Sequence, residues 1–167
     1  MEHIRKFVSA VIAGVLIGMG GTVFISQSNP VTGSFLFAVG LFTIVVFKLQ
    51  LFTGKVGYIP FEKPAYLIEL LITWTGNFAG TWLTALMVRN SRIFPAMEER
   101  VTALAQAKLE DSPLSLFILA VFCGMLMFIA VDTFRSQTGS AVRTAGVFVP
   151  VMVFILSGFE HVIADMF

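Results

Sequence analysis

From Phe7 to Ile25 the chain carries no charged residue, and comparable uncharged runs follow at about Val31 to Phe47, Ser112 to Val131 and from Thr144 onward. A helix crossing about 30 Å of hydrocarbon needs about 20 predominantly apolar residues. So many runs of that kind do not fit inside one small soluble core. Hydrophobic residues make up 57% of the chain and charged ones 13%, with a mean hydropathy of +0.90, against roughly 45–50% and about 25% in soluble domains. The sequence therefore reads as an all-α integral membrane protein. Arg5 and Lys6 ahead of the first run imitate a secretory leader, but Phe7 to Ile25 exceeds an h-region of about 7 to 15 residues and lacks a convincing small-x-small cleavage site.

With 167 residues the chain is one domain's worth. Its single cysteine, Cys123, has no intrachain partner and reads as a small core residue. A net charge of +1 says little about partners; no nucleic acid is expected among them. The first run contains Gly14 and Gly18, a small-xxx-small spacing that lets a second helix approach closely. After the turn Ser26 to Pro30, a second run descends to LQLFTG, followed by the glycine- and proline-rich stretch Lys55 to Pro64. A third run, about Pro64 to Val88, holds Asn77 between Gly76 and Gly80, which suggests an interhelical hydrogen bond at a close crossing. Arg89 to Asp111 mixes charges and reads as an aqueous loop with a short amphipathic helix from about Pro95 to Lys108. Placing the N-terminus in the cytoplasm puts seven basic residues inside and four outside, the bias that cytoplasmic loops carry.

The last run is interrupted by GFEHVIADMF, where Glu160, His161 and Asp165 fall at membrane depth. Only about 16 residues, roughly 24 Å of helix, precede Glu160. An ionisable residue there is a functional-site hypothesis by default. Irregular backbone is tolerated in a bilayer only where protein or a cavity surrounds it. Two helices interrupted at corresponding places of two halves point to a transport site at the midplane. The second helix is expected to break at Thr53 and the fifth at His161. The chain then divides into a first repeat of about 7–88, an outer loop of about 89–111 and an incomplete second repeat of about 112–167. That organisation has about five spans, and a sixth is expected to be missing.

The stretches GLFTIVVFKLQLFTG, GNFAG, CGMLMFIAV and GFEHVIADMF, in that order, resemble the signatures of the formate/nitrite transporter family. The resemblance implies an aquaporin-like helical bundle with inverted three-helix repeats, helices two and five broken, assembled as a homopentamer. It also implies small monovalent anions as cargo, membrane lipid as surroundings, no cofactor and no enzymatic activity. The plasma (inner) membrane is the expected location. By the same resemblance, Thr53 is the hydroxyl of the broken second helix, His161 the central pore histidine and Lys108 the lysine of the outer vestibule. Phe37, Leu41 and Phe154 would form the outer constriction, and Leu51, Phe52 and Met127 the inner one. Gly124 stands where the family usually has an asparagine on the pathway, Gln50 where it has an acid, and Asp165 where it has an asparagine; Lys48 is an unusual nearby cation.

On this reading Lys108 draws the anion in and His161 exchanges a proton near neutral pH, making a neutral passenger of a weak acid. Glu160 is expected to bond neighbouring loop amides, and Asn77 to support the helix crossing. Two other readings stay open: a non-transporting membrane subunit, and an intramembrane metal enzyme in which His161 and Asp165, four apart, share one helical face.

Overall fold

The computed structural model describes residues 1–167. Six α-helices form it: α1 (Glu2–Ser26), α2 (Pro30–Val46), α3 (Tyr66–Arg89), α4 (Glu98–Glu110), α5 (Pro113–Ser136) and α6 (Ser140–Leu156), with short 3-10 turns at Val56–Phe61, Phe94–Ala96 and Ala164–Met166. The long α1 and α5 are apolar enough to cross a bilayer, whereas α2 and α6 have 17 residues each, about 25 Å of helix, and stop short of a full crossing. Only 34 of 167 residues are buried, and the outer surface presents Leu71, Phe78, Phe117, Phe122 and Met125. An exterior of that kind suits lipid and would be a liability in water.

The helix α1 lies along α3 on a seam of glycines. A Cβ added at Gly14 would stand 2.2 Å from the Asn77 carbonyl oxygen, and one at Gly80 2.1 Å from that of Val11. One at Gly18 would meet the side chain of Thr84, 2.8 Å from its Cβ. The spacing read from sequence thus does its work against α3, with backbone packed on backbone, as membrane helices favour. We expect Gly80→Ala to force the helices apart and cost about 1–3 kcal/mol. Thermal unfolding in detergent should show the loss, and an unchanged midpoint would contradict this packing.

Lys6 bridges to Glu69 at 2.7 Å, so the starts of α1 and α3 share one end of the bundle. Tyr58 donates to Asp132 there at 3.0 Å, which brings the finish of α5 to the same end. Only short turns separate α1 from α2 and α5 from α6, so α2 and α6 enter from opposite ends. The start of α2 forms readily: Asn29 Oδ1 accepts from the Val31 and Thr32 N–H groups, with Pro30 opening the helix, whose absent N–H is no loss there.

Both half-helices stop in the same way. At the end of α2 the Leu49 N–H donates to Ile44 at 2.9 Å and the Lys48 N–H to Val45 at 3.3 Å; at the end of α6 Phe159 donates to Phe154 at 2.9 Å and Gly158 to Ile155 at 3.2 Å. The pivots Lys48 and Gly158 have φ of +54° and +68°. This is the left-handed cap that closes helices on a glycine. The helices therefore end at Val46 and Leu156, seven and five residues before the expected breaks at Thr53 and His161, and those two residues sit in the loops beyond. The amphipathic helix α4 begins at Glu98 rather than at Pro95, because Phe94–Ala96 winds as a 3-10 turn.

Candidate functional site

The two loops meet in the centre of the bundle. Thr53 is 4% exposed and His161 1%, with Thr53 Oγ1 lying 3.0 Å from His161 Nε2. The Ala164 N–H donates to His161 Nδ1 at 3.0 Å, and the Asp165 N–H donates to the His161 carbonyl at 2.9 Å. Nδ1 is thereby an acceptor, so in the neutral ring Nε2 carries the hydrogen and donates it to Thr53. The threonine hydroxyl keeps its own hydrogen for another acceptor. Phe154 stacks on the imidazole, with centroids 5.3 Å apart and planes 26° apart, and Phe37 meets Phe154 edge-on at 6.0 Å.

Asn77 holds the first loop in place. Its amide nitrogen donates to the Ala10 carbonyl at 2.8 Å and to the Gln50 carbonyl at 2.9 Å, while its oxygen accepts from the Phe52 N–H at 2.9 Å. The sequence suggests a bond between two helices; the residue also ties down the broken backbone. Leu41, Leu51 and Met127 are buried at 0%, 3% and 1% in the same core cluster, with Phe52 packed against it.

On the side of Phe37, Phe154 and His161 a cavity of about 870 Å³ opens between α1, α3, α4 and the second loop. Lys108 lines it, on the last turn of α4. Its ammonium donates to Glu160 and, at 2.8 Å, to Asp165. Burial alone would lower this lysine, but the hydrogen bonds and charges of Asp165 and Glu160 outweigh it and hold the group above its ordinary value, so it stays charged. Glu160 thus serves the lysine rather than the loop amides expected of it. Arg100, in the sequence only one charge of the mixed loop, bolts α4 over this cavity by donating to the Ile25 carbonyl at 3.1 Å and to that of Gln27, with its guanidinium 5.0 Å from the Phe24 ring.

Gly124 does not line the cavity, and a Cβ built there would meet nothing within 4 Å. With no side chain it has nothing to send toward Lys108. His161 and Asp165 do not share a helical face, since Gly158 ends the helix before them. Nowhere do three His, Cys, Asp or Glu side chains gather as metal ligands. Gln50, the first-loop counterpart of Glu160, has a buried Oε1 with no hydrogen-bond partner.

The structure is thus a helical membrane protein in which two half-helices, entering from opposite ends, bring a hydroxyl and an imidazole together beneath a cavity. The sequence model described as "Formate/nitrite transporter" matches residues 1–167, and the chain belongs to that family. It is 31% identical over 150 residues to the uncharacterized transporter YrhG of Bacillus subtilis (strain 168), covering 83% of this chain and 56% of that one. It is 26% identical over 176 residues to the nitrite transporter NirC of Escherichia coli (strain K12), covering 96% and 65%. Among solved structures, a pentameric formate channel with formate bound superposes with a TM-score of 0.82 at 26% identity, over 99% of this chain and 73% of the other. The fold of an FNT family ion channel matches with a TM-score of 0.85. The chain spans between 56% and 65% of the length of those two curated relatives.

Proposed function

We propose that this protein passes small monovalent weak-acid anions, of the formate or nitrite kind, across a membrane, and that the passage runs between Thr53 and His161. The observation that carries the reading is the 3.0 Å pair of Thr53 and His161 at the floor of the vestibule, where the two broken helices meet. An anion moving through hydrocarbon meets an idealised desolvation cost of order 20 kcal/mol. A free hydroxyl hydrogen on Thr53, oriented by the Nε2–H of His161, offsets part of that cost at the narrowest point. Phe37, Leu41 and Phe154 form the constriction above it, and Leu51, Phe52 and Met127 the one below.

Proton exchange with the cargo at His161 belongs to the same proposal and carries a condition. A second proton would settle on Nδ1, which already accepts from Ala164; the turn Ala164–Met166 must open for the imidazolium to form. Conduction and protonation are thereby coupled through one backbone turn. The assembly is a homopentamer, in keeping with the related formate channel, which is pentameric, with the N-terminus on the cytoplasmic side of the plasma membrane. Residues 1–167 act as a single membrane domain, with a first repeat of about 7–88 and a second beginning near 112.

Reconstituted into proteoliposomes, the purified protein should take up labelled formate or nitrite well above empty vesicles and leave sulfate outside. Uptake indistinguishable from empty vesicles would instead favour a non-transporting membrane subunit of the same fold.

A further inference from the structure

The vestibule proposed to gather anions is lined by Arg89 and Lys108 but also by Glu98, Asp111, Glu160 and Asp165. Its charges favour an anion only if Lys108 can be approached. Of the three N–H donors on that ammonium, two are committed, one to Glu160 and one to Asp165. The two carboxylates are not equivalent. The Glu160 side chain is 16% exposed, against 29% for Asp165. Asp165 is thus the one that water, a proton or an incoming anion reaches first.

We infer that Asp165 is a tethered competitor for the anion, occupying the place on Lys108 that the cargo must take and yielding it when protonated or displaced. The inference deepens the transport reading and rests on it. A carboxylate held by the chain competes at an effective concentration in the millimolar range or above, so a free anion of the same chemistry must reach that range or arrive with a proton. Protonated Asp165 no longer offers charge to the ammonium and releases one N–H. The groups facing the pair are few. From α3 there is Arg89, from α4 Glu98, and from the turn after α4 Asp111. From the second loop there are Glu160 and His161, and from α5 the buried Cys123 thiol. The Asp165 amide donates to the His161 carbonyl, so a swing of Asp165 pulls on the turn that fixes the histidine tautomer. Entry of the anion and release of the imidazole are joined at that turn.

The test uses iodide, a monovalent anion that does not titrate, and reads Trp82, which lines the vestibule, in a Trp74→Phe background in detergent. Native protein should show iodide quenching of the indole at lower concentration near pH 5 than near pH 7.5, since a protonated Asp165 no longer holds the Lys108 ammonium and leaves that donor to the anion. Asp165→Asn should lower the half-quenching concentration about tenfold near pH 7.5 and flatten the pH response, as loss of one charge-assisted hydrogen bond implies. Asp165→Glu should keep the native behaviour. Formate uptake by the same variants in proteoliposomes should follow the same order. Quenching by iodide that is independent of pH in the native protein, or identical in Asp165→Asn and Asp165→Glu, overturns the competitor. Failure of uptake in every variant with the quenching pattern intact sinks the transport reading alone.

Discussion

Replacing Asn77 with leucine should unfold the first broken helix and abolish uptake while α1 and α3 still pair. The side chain of Asn77 is the only partner the structure gives to the Phe52 N–H and supplies a donor to the Gln50 carbonyl. Ala10 is less exposed to the change, because its carbonyl already receives a helical hydrogen bond. Two half-buried backbone groups lose their partners, and at a full penalty of about 1–3 kcal/mol each the loss is bounded at about 2–6 kcal/mol, a large part of a membrane domain's margin. Asn77→Asp is the sharper variant. One carboxylate oxygen can still accept from Phe52, but the other then faces the carbonyl oxygens of Ala10 and Gln50 with nothing to donate. It should be at least as damaging as leucine despite its shape. Thermal unfolding in detergent, beside uptake in vesicles, checks both, and native-like melting of Asn77→Asp would rule out this role.

The same residue shows where the sequence stops being legible. Gly76, Asn77 and Gly80 announce a close crossing by their spacing alone, because a helix has a fixed period and small residues on one face have one evident use. The bonds from Asn77 to Gln50 and Phe52 reach 27 and 25 residues back, into a loop with no period to betray its course. For the same reason the sequence marks an interruption near Thr53 and His161 but not the true helix ends at Val46 and Leu156. Leu49, Leu51 and Phe52 are as apolar as the helix they follow, and a left-handed turn at Lys48 has no sequence sign when the residue is not glycine. Lys108 announces the vestibule but not its charge balance. Whether Glu160 and Asp165 point at solvent, at amides or at an ammonium 52 and 57 residues away depends on how α4 folds back over the cavity. Arg100 sets that placement by binding the exposed carbonyls at the end of α1, and in the sequence it is one of several basic residues in a mixed loop. The resemblance in sequence reached further than pattern, since it set Thr53 and His161 on one pathway, and the structure has them 3.0 Å apart.

Uptake should fall about 10- to 100-fold in Thr53→Val and remain near native in Thr53→Ser, a barrier raised by about 1.4 kcal/mol slowing passage about tenfold. Valine matches threonine in outline but removes the hydroxyl, leaving the His161 Nε2–H buried without an acceptor and the cargo without a donor. The first loss alone costs about 1–3 kcal/mol. Serine restores both hydrogen bonds at the cost of a methyl group. His161→Phe preserves the stack on Phe154 but frees the Ala164 N–H and gives Thr53 no orienting donor, so its loss should exceed that of Thr53→Val. If hydroxyl and imidazole act as one unit, the double variant Thr53→Val/His161→Phe should be no slower than His161→Phe alone, because the second change removes an interaction already gone. Additive losses would mean that each residue meets the anion separately, and equal uptake by Thr53→Val and Thr53→Ser would remove the hydroxyl from the passage. Since the ring nitrogen facing Ala164 is an acceptor only while the imidazole is neutral, protonation of His161 opens that turn but leaves the Nε2–H in place: the deficit of Thr53→Val should therefore persist under conditions that protonate His161, because valine still gives that donor no acceptor.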